Sequence, residues 1–261
     1  MKHANGSTLH AMDRVIRFAP HRPAIMGVVN VTPDSFSDGG DFLEPARAVD
    51  HALAMIVEGA DIIDIGGEST RPGSKRVSAD QQIERTVSVI SALAKRSDIP
   101  ISIDTTLAAV AEAALDAGAV IVNDISALRD DTAMAGLIAQ RRAAVVLMHM
   151  TGTPQTMQDA PHYDNVVTEV HDFLSERIAA AVAAGIERAR IAADPGIGFG
   201  KTTEHNLALL KHLDALMALN VPILVGASRK RFIAEVLDIA DPKARLTGTL
   251  GTIAHCAAMN I

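Results

Sequence analysis

Polar residues able to do chemistry recur along this chain, each group directly after a short apolar run. The sharpest case is Ile191-Ala192-Ala193 followed by Asp194-Pro195-Gly196-Ile197-Gly198-Phe199-Gly200-Lys201. A buried strand there ends in a carboxylate. A proline and three glycines then stop the strand and let the backbone come close to a ligand. Two phosphate-binding fingerprints are excluded. Pro195 stands where G-x-x-x-x-G-K-[ST] needs its first glycine, and Lys201 where G-x-G-x-x-G needs its third.

Other apolar runs end the same way. One ends in Val29-Asn30-Val31 before Thr32-Pro33-Asp34-Ser35-Phe36-Ser37-Asp38-Gly39-Gly40, another in Ile63-Asp64-Ile65 before Gly66-Gly67-Glu68-Ser69-Thr70-Arg71-Pro72-Gly73. Asp104-Thr105-Thr106, Asn123-Asp124, Met148-His149-Met150 and Gly226-Ala227-Ser228-Arg229-Lys230 close four more. Each acid alone could be a helix N-cap. Together, Asp64, Asp104, Asn123 and Asp194 describe an acceptor-rich pocket, and buried carboxylates need donors. An amino-pyrimidinone edge supplies them, since its ring N–H and exocyclic NH2 pair with one carboxylate. Lys230 offsets the remaining negative charge. Asn30, Arg71 and the Ser228-Arg229-Lys230 turn make a second, anion-binding subsite. Asn30 also suits Mg²⁺, which keeps several waters and shares phosphate oxygens. His149 reads as a packed structural histidine, because a metal site wants further histidines nearby. Met148 reads as an apolar floor.

The elements that must position these groups alternate. Apolar runs cover 24–31, 61–65, 101–104, 120–124, 143–148, 190–194 and 222–225. Being continuous rather than alternating, they suit parallel strands covered on both faces. Amphipathic stretches at roughly 44–58, 79–96, 106–117, 131–141, 164–184 and 204–219 lie between them, with further helices near 229–237 and 244–259. Residues 1–22 form an irregular or hairpin-like lead-in. No composition shift divides the chain, so 1–261 is expected to be a single α/β domain. Seven such units without a dinucleotide turn after the first predict a TIM-type (β/α)8 barrel, with chemistry at the C-terminal strand ends.

Composition narrows the function. The chain has 261 residues, 48% hydrophobic, with a net charge of −7, which argues against nucleic acid as the main partner. No stretch approaches 18 uncharged apolar residues, so no membrane partner is expected. One cysteine, Cys256, excludes a disulfide framework and suits the cytoplasm.

The Asn30–Gly40, Gly66–Gly73, Asp194–Lys201 and Ser228–Lys230 motifs closely resemble those of the dihydropteroate synthases, in the pterin-binding barrel family. The resemblance runs from about residue 24 onward. It implies that 6-hydroxymethyl-7,8-dihydropterin pyrophosphate and p-aminobenzoate condense to 7,8-dihydropteroate and pyrophosphate, with Mg²⁺, in folate biosynthesis. It implies that Asp104, Asn123, Asp194 and Lys230 hold the pterin, that Phe199 and Met148 line its slot, and that Asp64 steadies a cationic pterin. Asn30 would meet Mg²⁺ and pyrophosphate. Phe36, Thr70, Arg71, Pro72 and Ser228 would surround p-aminobenzoate or a sulfonamide, with Gly226 also at the substrate site. Asp64, Asp104 and Lys230 would be catalytic, in an SN1-like substitution. Family members carry an eighth strand with an Arg-x-His anion site and a last helix, and this sequence stops where they should begin. The expectation is therefore seven strands with an open seam between the last and the first, and a homodimer for the complete protein. The dimer expectation rests on the small residues of Gly248–Ala254. A non-catalytic pterin-binding protein and a methyltetrahydrofolate-dependent methyltransferase domain are the alternatives. Ser69-Thr70-Arg71-Pro72 and Ser228-Arg229-Lys230 speak against the second.

Overall fold

The computed structural model describes residues 8–20, 22–32, 44–70, 73–74 and 76–261. The lead-in is a hairpin, β1 (Thr8–Ala11) paired antiparallel with β2 (Arg14–Arg17). Six parallel strands then form one sheet in sequential order. They are β3 (Met26–Asn30), β4 (Ile62–Gly66), β5 (Ile101–Asp104), β6 (Ile121–Asp124), β7 (Ala144–Met148) and β8 (Ile191–Asp194). Helices α1 (Glu44–Val57), α2 (Ala79–Ala94), α3 (Ala108–Ala117), α4 (Met134–Arg141) and α5 (Val166–Ala183) connect them. After β8 come α6 (Thr203–Lys211), α7 (Leu213–Met217), α8 (Arg231–Leu237) and α9 (Leu246–Ala258).

Seven strands were expected, and the described residues form six plus a fragment. Segment 222–225 joins β8 through the single bridge Ala193–Ile223. Two bonds make it: Ala193 N–H to Pro222 O and Leu224 N–H to Ala193 O, both 2.9 Å. Pro222 has no N–H to give, and no further strand pairs with this segment among the described residues, so the ladder stops there. The outer edge of β3 likewise has no partner among them. Val28, on the face it shares with Asp64, is 52% exposed there. The expected 204–219 helix breaks into α6 and α7 at His212, whose backbone (φ −115, ψ 36) leaves the helical region.

Strand register sorts the side chains. Paired residues, and residues two apart, share a face. Val28 pairs with Asp64, Asp64 with Ser102, Asp104 with both Gly66 and Asn123, and Met148 with Asp194. All the candidate acids therefore stand on one face. The other face carries Val29, Ile63, Ile65, Ile103, Val145 and Leu147, packed in the main core against the helices. Below the acids, Leu9 and Ala11 of the hairpin close the face against Ile62, Ile121, Ala144 and Ala192. Arg190, 3% exposed, staples the hairpin by donating to Met12 O and Arg142 O at 3.2 and 2.7 Å. With one end plugged by apolar side chains, the polar end of the strands is the open one.

Helix starts follow local chemistry. Ser78 caps α2, Asn165 caps α5 and Thr202 caps α6, each accepting from the backbone N–H three residues on. Such caps contribute about 1 kcal/mol each.

Candidate active site

Asp64 lies at the centre of the polar face, 3% exposed. Its Oδ2 accepts from Asn123 Nδ2 at 3.1 Å. Its Oδ1 is buried with no hydrogen-bond partner, as is Ser102 Oγ in the neighbouring strand. Burial raises the Asp64 pKa, with Ser102 and Asn123 opposing the rise. Asp104 is pushed well above the usual carboxylate range, first by burial and then by the negative charge of Asp64, with Asp124 and Glu68 adding to it. None of these causes is a cation. Two adjacent carboxylates thus lack a compensating charge, and Asp64 Oδ1 has beside it only the Ser102 hydroxyl, which makes no well-formed hydrogen bond to it.

Asp194 differs. Its Oδ1 accepts from Gly196 N–H at 2.6 Å. Burial raises its pKa, while Lys230, that N–H and Lys201 pull it down. Gly196 has to be glycine: φ is +66, and a Cβ would sit 1.9 Å from His149 O. Gly198, φ +83, would press a Cβ to 2.9 Å from Lys230 Cδ. Lys230 therefore lies along the glycine-rich loop. Its Nζ donates to Ile197 O and stands 4.6 Å from the Phe199 ring centre. Burial lowers its pKa to about 8, with Asp194 opposing. Phe199 is half-buried against Ile125, Met148, Met150 and Met157, an adaptable apolar wall. Asp194, Phe199 and Lys230 form one group, and Met148 lies beneath it.

Gly226 lies close by, a Cβ on it falling 3.6 Å from Lys230 Nζ. Ser228 is exposed. Asn30 is exposed at the end of β3, with Oδ1 3.4 Å and Asp104 Oδ2 3.7 Å from the point where a Gly66 Cβ would stand. Thr70 borders a narrow cleft with Glu68, Arg76, Asp104 and Arg129. Phe36, Arg71 and Pro72 lie outside the described residues. Asp124 is a structural acid. It accepts from Ser126 N–H and Oγ–H, both 2.7 Å, and from Leu128 N–H, shaping the turn after β6.

His149 is packed: 5% exposed, edge-on to Phe173 with ring centres 4.8 Å apart, and held neutral by burial and by Lys201 at a pKa of about 3. Among the described residues no group of three or more His, Cys, Asp or Glu could hold a metal. Asn30 contributes one exposed amide oxygen at the end of β3.

Sequence reasoning missed two residues. Lys201 is 4% exposed and ties the glycine-rich loop together. Gln82 is 1% exposed, and its amide bridges Glu68 (2.6 Å) and Thr105 (3.0 Å), joining the loop after β4 to the residue after Asp104. The available signal for Gln82 was a polar residue on the buried stripe of α2, shared with Thr86, Val89, Ile90 and Leu93.

Comparison with known proteins bears on what fills this site. The family described as pterin binding enzyme matches residues 26–260. A dihydropteroate synthase of Synechocystis is 48% identical over 237 residues, 91% of this chain and 82% of that protein. The Xanthomonas albilineans dihydropteroate synthase with 4-aminobenzoic acid superposes with a TM-score of 0.91 at 45% identity, covering 98% of this chain and 90% of that one. The same enzyme in complex with 7,8-dihydropteroate gives 0.85 at 42%, covering 97% and 90%.

Proposed function

The chain belongs to the pterin-binding enzyme family, and on that premise we propose that it performs the dihydropteroate synthase reaction, joining a dihydropterin to p-aminobenzoate with loss of pyrophosphate. The observation that carries this reading is the uncompensated pair Asp64 and Asp104, with Asp64 Oδ1 unpartnered in a buried, acceptor-rich site. A flat heterocycle that presents N–H donors and becomes cationic during reaction satisfies that site.

Binding is divided among named residues. Asp194 takes the amino-pyrimidinone donor pair, and Asn123 and Asp104 complete the edge. Phe199 and Met148 hold the ring faces, and Lys230 donates to a ring oxygen or nitrogen. The C–O bond to pyrophosphate then breaks, its electron pair leaving with oxygen, and positive charge spreads from the exocyclic methylene into the ring. Asp64 and Asp104 are fixed beside that charge, so no reorganisation is needed when it forms. The p-aminobenzoate nitrogen attacks the methylene carbon and gives up a proton. The substitution is SN1-like and needs no nucleophile from the protein. Asn30 Oδ1 would help hold Mg²⁺, which when bound supplies positive charge to the leaving pyrophosphate. Phe36, Thr70, Arg71, Pro72 and Ser228 are assigned to p-aminobenzoate, and Gly226, beside Lys230, to the substrate site.

The protein works in the cytoplasm, in keeping with a lone buried and unpaired thiol, Cys256. It is a homodimer. The small residues of α9 do not supply the whole reason, since Gly248 packs within the chain: a Cβ there would fall 2.4 Å from Ile233 Cγ2. The dimer reading rests instead on the exposed Val236, Leu237, Leu246 and Leu250 of α8 and α9.

Ordered binding tests the assignment. By calorimetry, 6-hydroxymethyl-7,8-dihydropterin binds the empty chain, whereas p-aminobenzoate binds only once pterin and pyrophosphate are present. Tight p-aminobenzoate binding to the empty chain, with no effect of pterin, overturns the assembly described.

A further inference from the structure

Lys201 is a buried cation that the chemistry above leaves unused. Its Nζ donates to Phe199 O at 2.9 Å and to Gly196 O at 3.1 Å, and stands 2.9 Å from His149 Nδ1 and 3.4 Å from His149 O. His149 is neutral, so its Nδ1 can accept. The two loop carbonyls belong to residues that shape the pocket. Gly196 caps Asp194 through its N–H, and Phe199 carries the ring facing Lys230. One ammonium thus connects the acid, the aromatic wall and the second ammonium.

Burial brings the Lys201 pKa down to about 7, with Asp194 holding it up and Lys230 pushing it further down. The described titratable groups facing it are His149 from the end of β7, Asp194 from β8, Lys230 from the N-cap of α8 and His205 from α6. Asp194 is the only acid among these groups. Taking a lysine out of water is costly unless something is gained in its new place. The fixed loop and the charge on Asp194 are that gain.

We propose that Lys201 is a positioning residue of the pterin pocket: its ammonium clamps loop 195–200 through Gly196 and Phe199, and adds positive charge beside Asp194, which receives the pterin. The proposal rests on the pterin reading of the site.

Lys201→Gln keeps two N–H donors for the carbonyls and loses the charge. Lys201→Met loses both. Affinity for 6-hydroxymethyl-7,8-dihydropterin is measured by calorimetry from pH 5 to 8, with melting followed in parallel. Because the charge on Lys201 lowers the Asp194 pKa, its removal moves the acid limb of pterin affinity to higher pH. The expected move is in the same direction in both variants, with a severalfold loss of affinity on that limb. KM for the pterin pyrophosphate rises while kcat at saturation stays within about twofold of wild type, and only the methionine variant melts much lower. A folded glutamine variant with the wild-type acid limb and affinity overturns the proposal. Should it not fold, NMR titration of the wild-type Asp194 carboxyl carbon and Lys201 Nζ decides, coupled inflections supporting the proposal and independent ones overturning it. A wild-type chain that binds no pterin overturns the parent reading instead.

Discussion

Gly196→Ala isolates what the glycine-rich loop contributes. A Cβ at this position would lie 1.9 Å from His149 O, a backbone atom that cannot swing aside. The residue also holds φ +66, which costs a non-glycine residue roughly 1–3 kcal/mol. Moving the loop to relieve the clash breaks the 2.6 Å bond from Gly196 N–H to Asp194, a hydrogen bond to a charged group of about 1.5–3 kcal/mol. Gly59→Ala is the control without a clash, at an at least equally strained φ of +108 and with nothing within 4 Å of the added methyl. It carries backbone strain alone. The difference between the two variants is therefore about 1.5–3 kcal/mol, or roughly 3–12 °C in melting temperature at about 2–4 °C per kcal/mol for a chain of this size. Scanning calorimetry reads that gap, and pterin titration reads the consequence: affinity falls in Gly196→Ala and stays at the wild-type value in Gly59→Ala. Two variants that melt within about 2 °C of each other and bind pterin equally refute the reasoning.

Asp194→Asn and Asp104→Asn each weaken pterin binding and leave p-aminobenzoate binding to the enzyme loaded with pterin and pyrophosphate unchanged. Loss of a charged acceptor is worth about 1.5–3 kcal/mol, and calorimetry with each ligand separates the two effects. Asp104→Asn also raises the melting temperature of the empty chain near pH 8. Its raised pKa means the folded chain keeps a proton that the unfolded chain releases, so wild-type stability is lost as pH rises above the ordinary carboxylate range. The gain vanishes near pH 4, where melting of the two proteins coincides. Lys230 loses its charge above a pKa of about 8, so pterin affinity in the wild type declines on the alkaline side, which calorimetry across pH 7–9 detects. Leu250→Glu places a charge on the exposed apolar face of α9, where Leu250 is 55% exposed, and light scattering then reports a monomer in place of the proposed dimer.

Much of this architecture was legible in the sequence, for physical reasons particular to each element. Ile63, Ile65, Ile101 and Ile103 all stand on the face that the helices cover and alternate with Asp64, Ser102 and Asp104 on the other, so these strands read as apolar without being the continuous runs expected. Asp64, Asp104 and Asp194 stood out because a carboxylate closing such a run is costly without a partner. Segment 222–225 was over-read: apolar content marks a strand, but a ladder needs neighbours, and Pro222 lacks the N–H to form one. The break at His212 leaves no mark in the apolar pattern, since α6 and α7 both bury leucines. Lys201 was read as the end of a loop motif, whereas its burial is set by His149, which is 52 residues away in sequence and becomes a neighbour only when β7 and β8 pair. Gln82 escaped for the same reason, its partners Glu68 and Thr105 coming from two different strand ends.

Product formation tests the central claim most directly. The chain is incubated with 6-hydroxymethyl-7,8-dihydropterin pyrophosphate and Mg²⁺, with and without p-aminobenzoate, and pyrophosphate and 7,8-dihydropteroate are quantified together. The account predicts equal amounts of both products when p-aminobenzoate is present, with turnover lost in Asp104→Asn. Tight pterin binding without any dihydropteroate would contradict it and leave a pterin-binding protein that is not an enzyme.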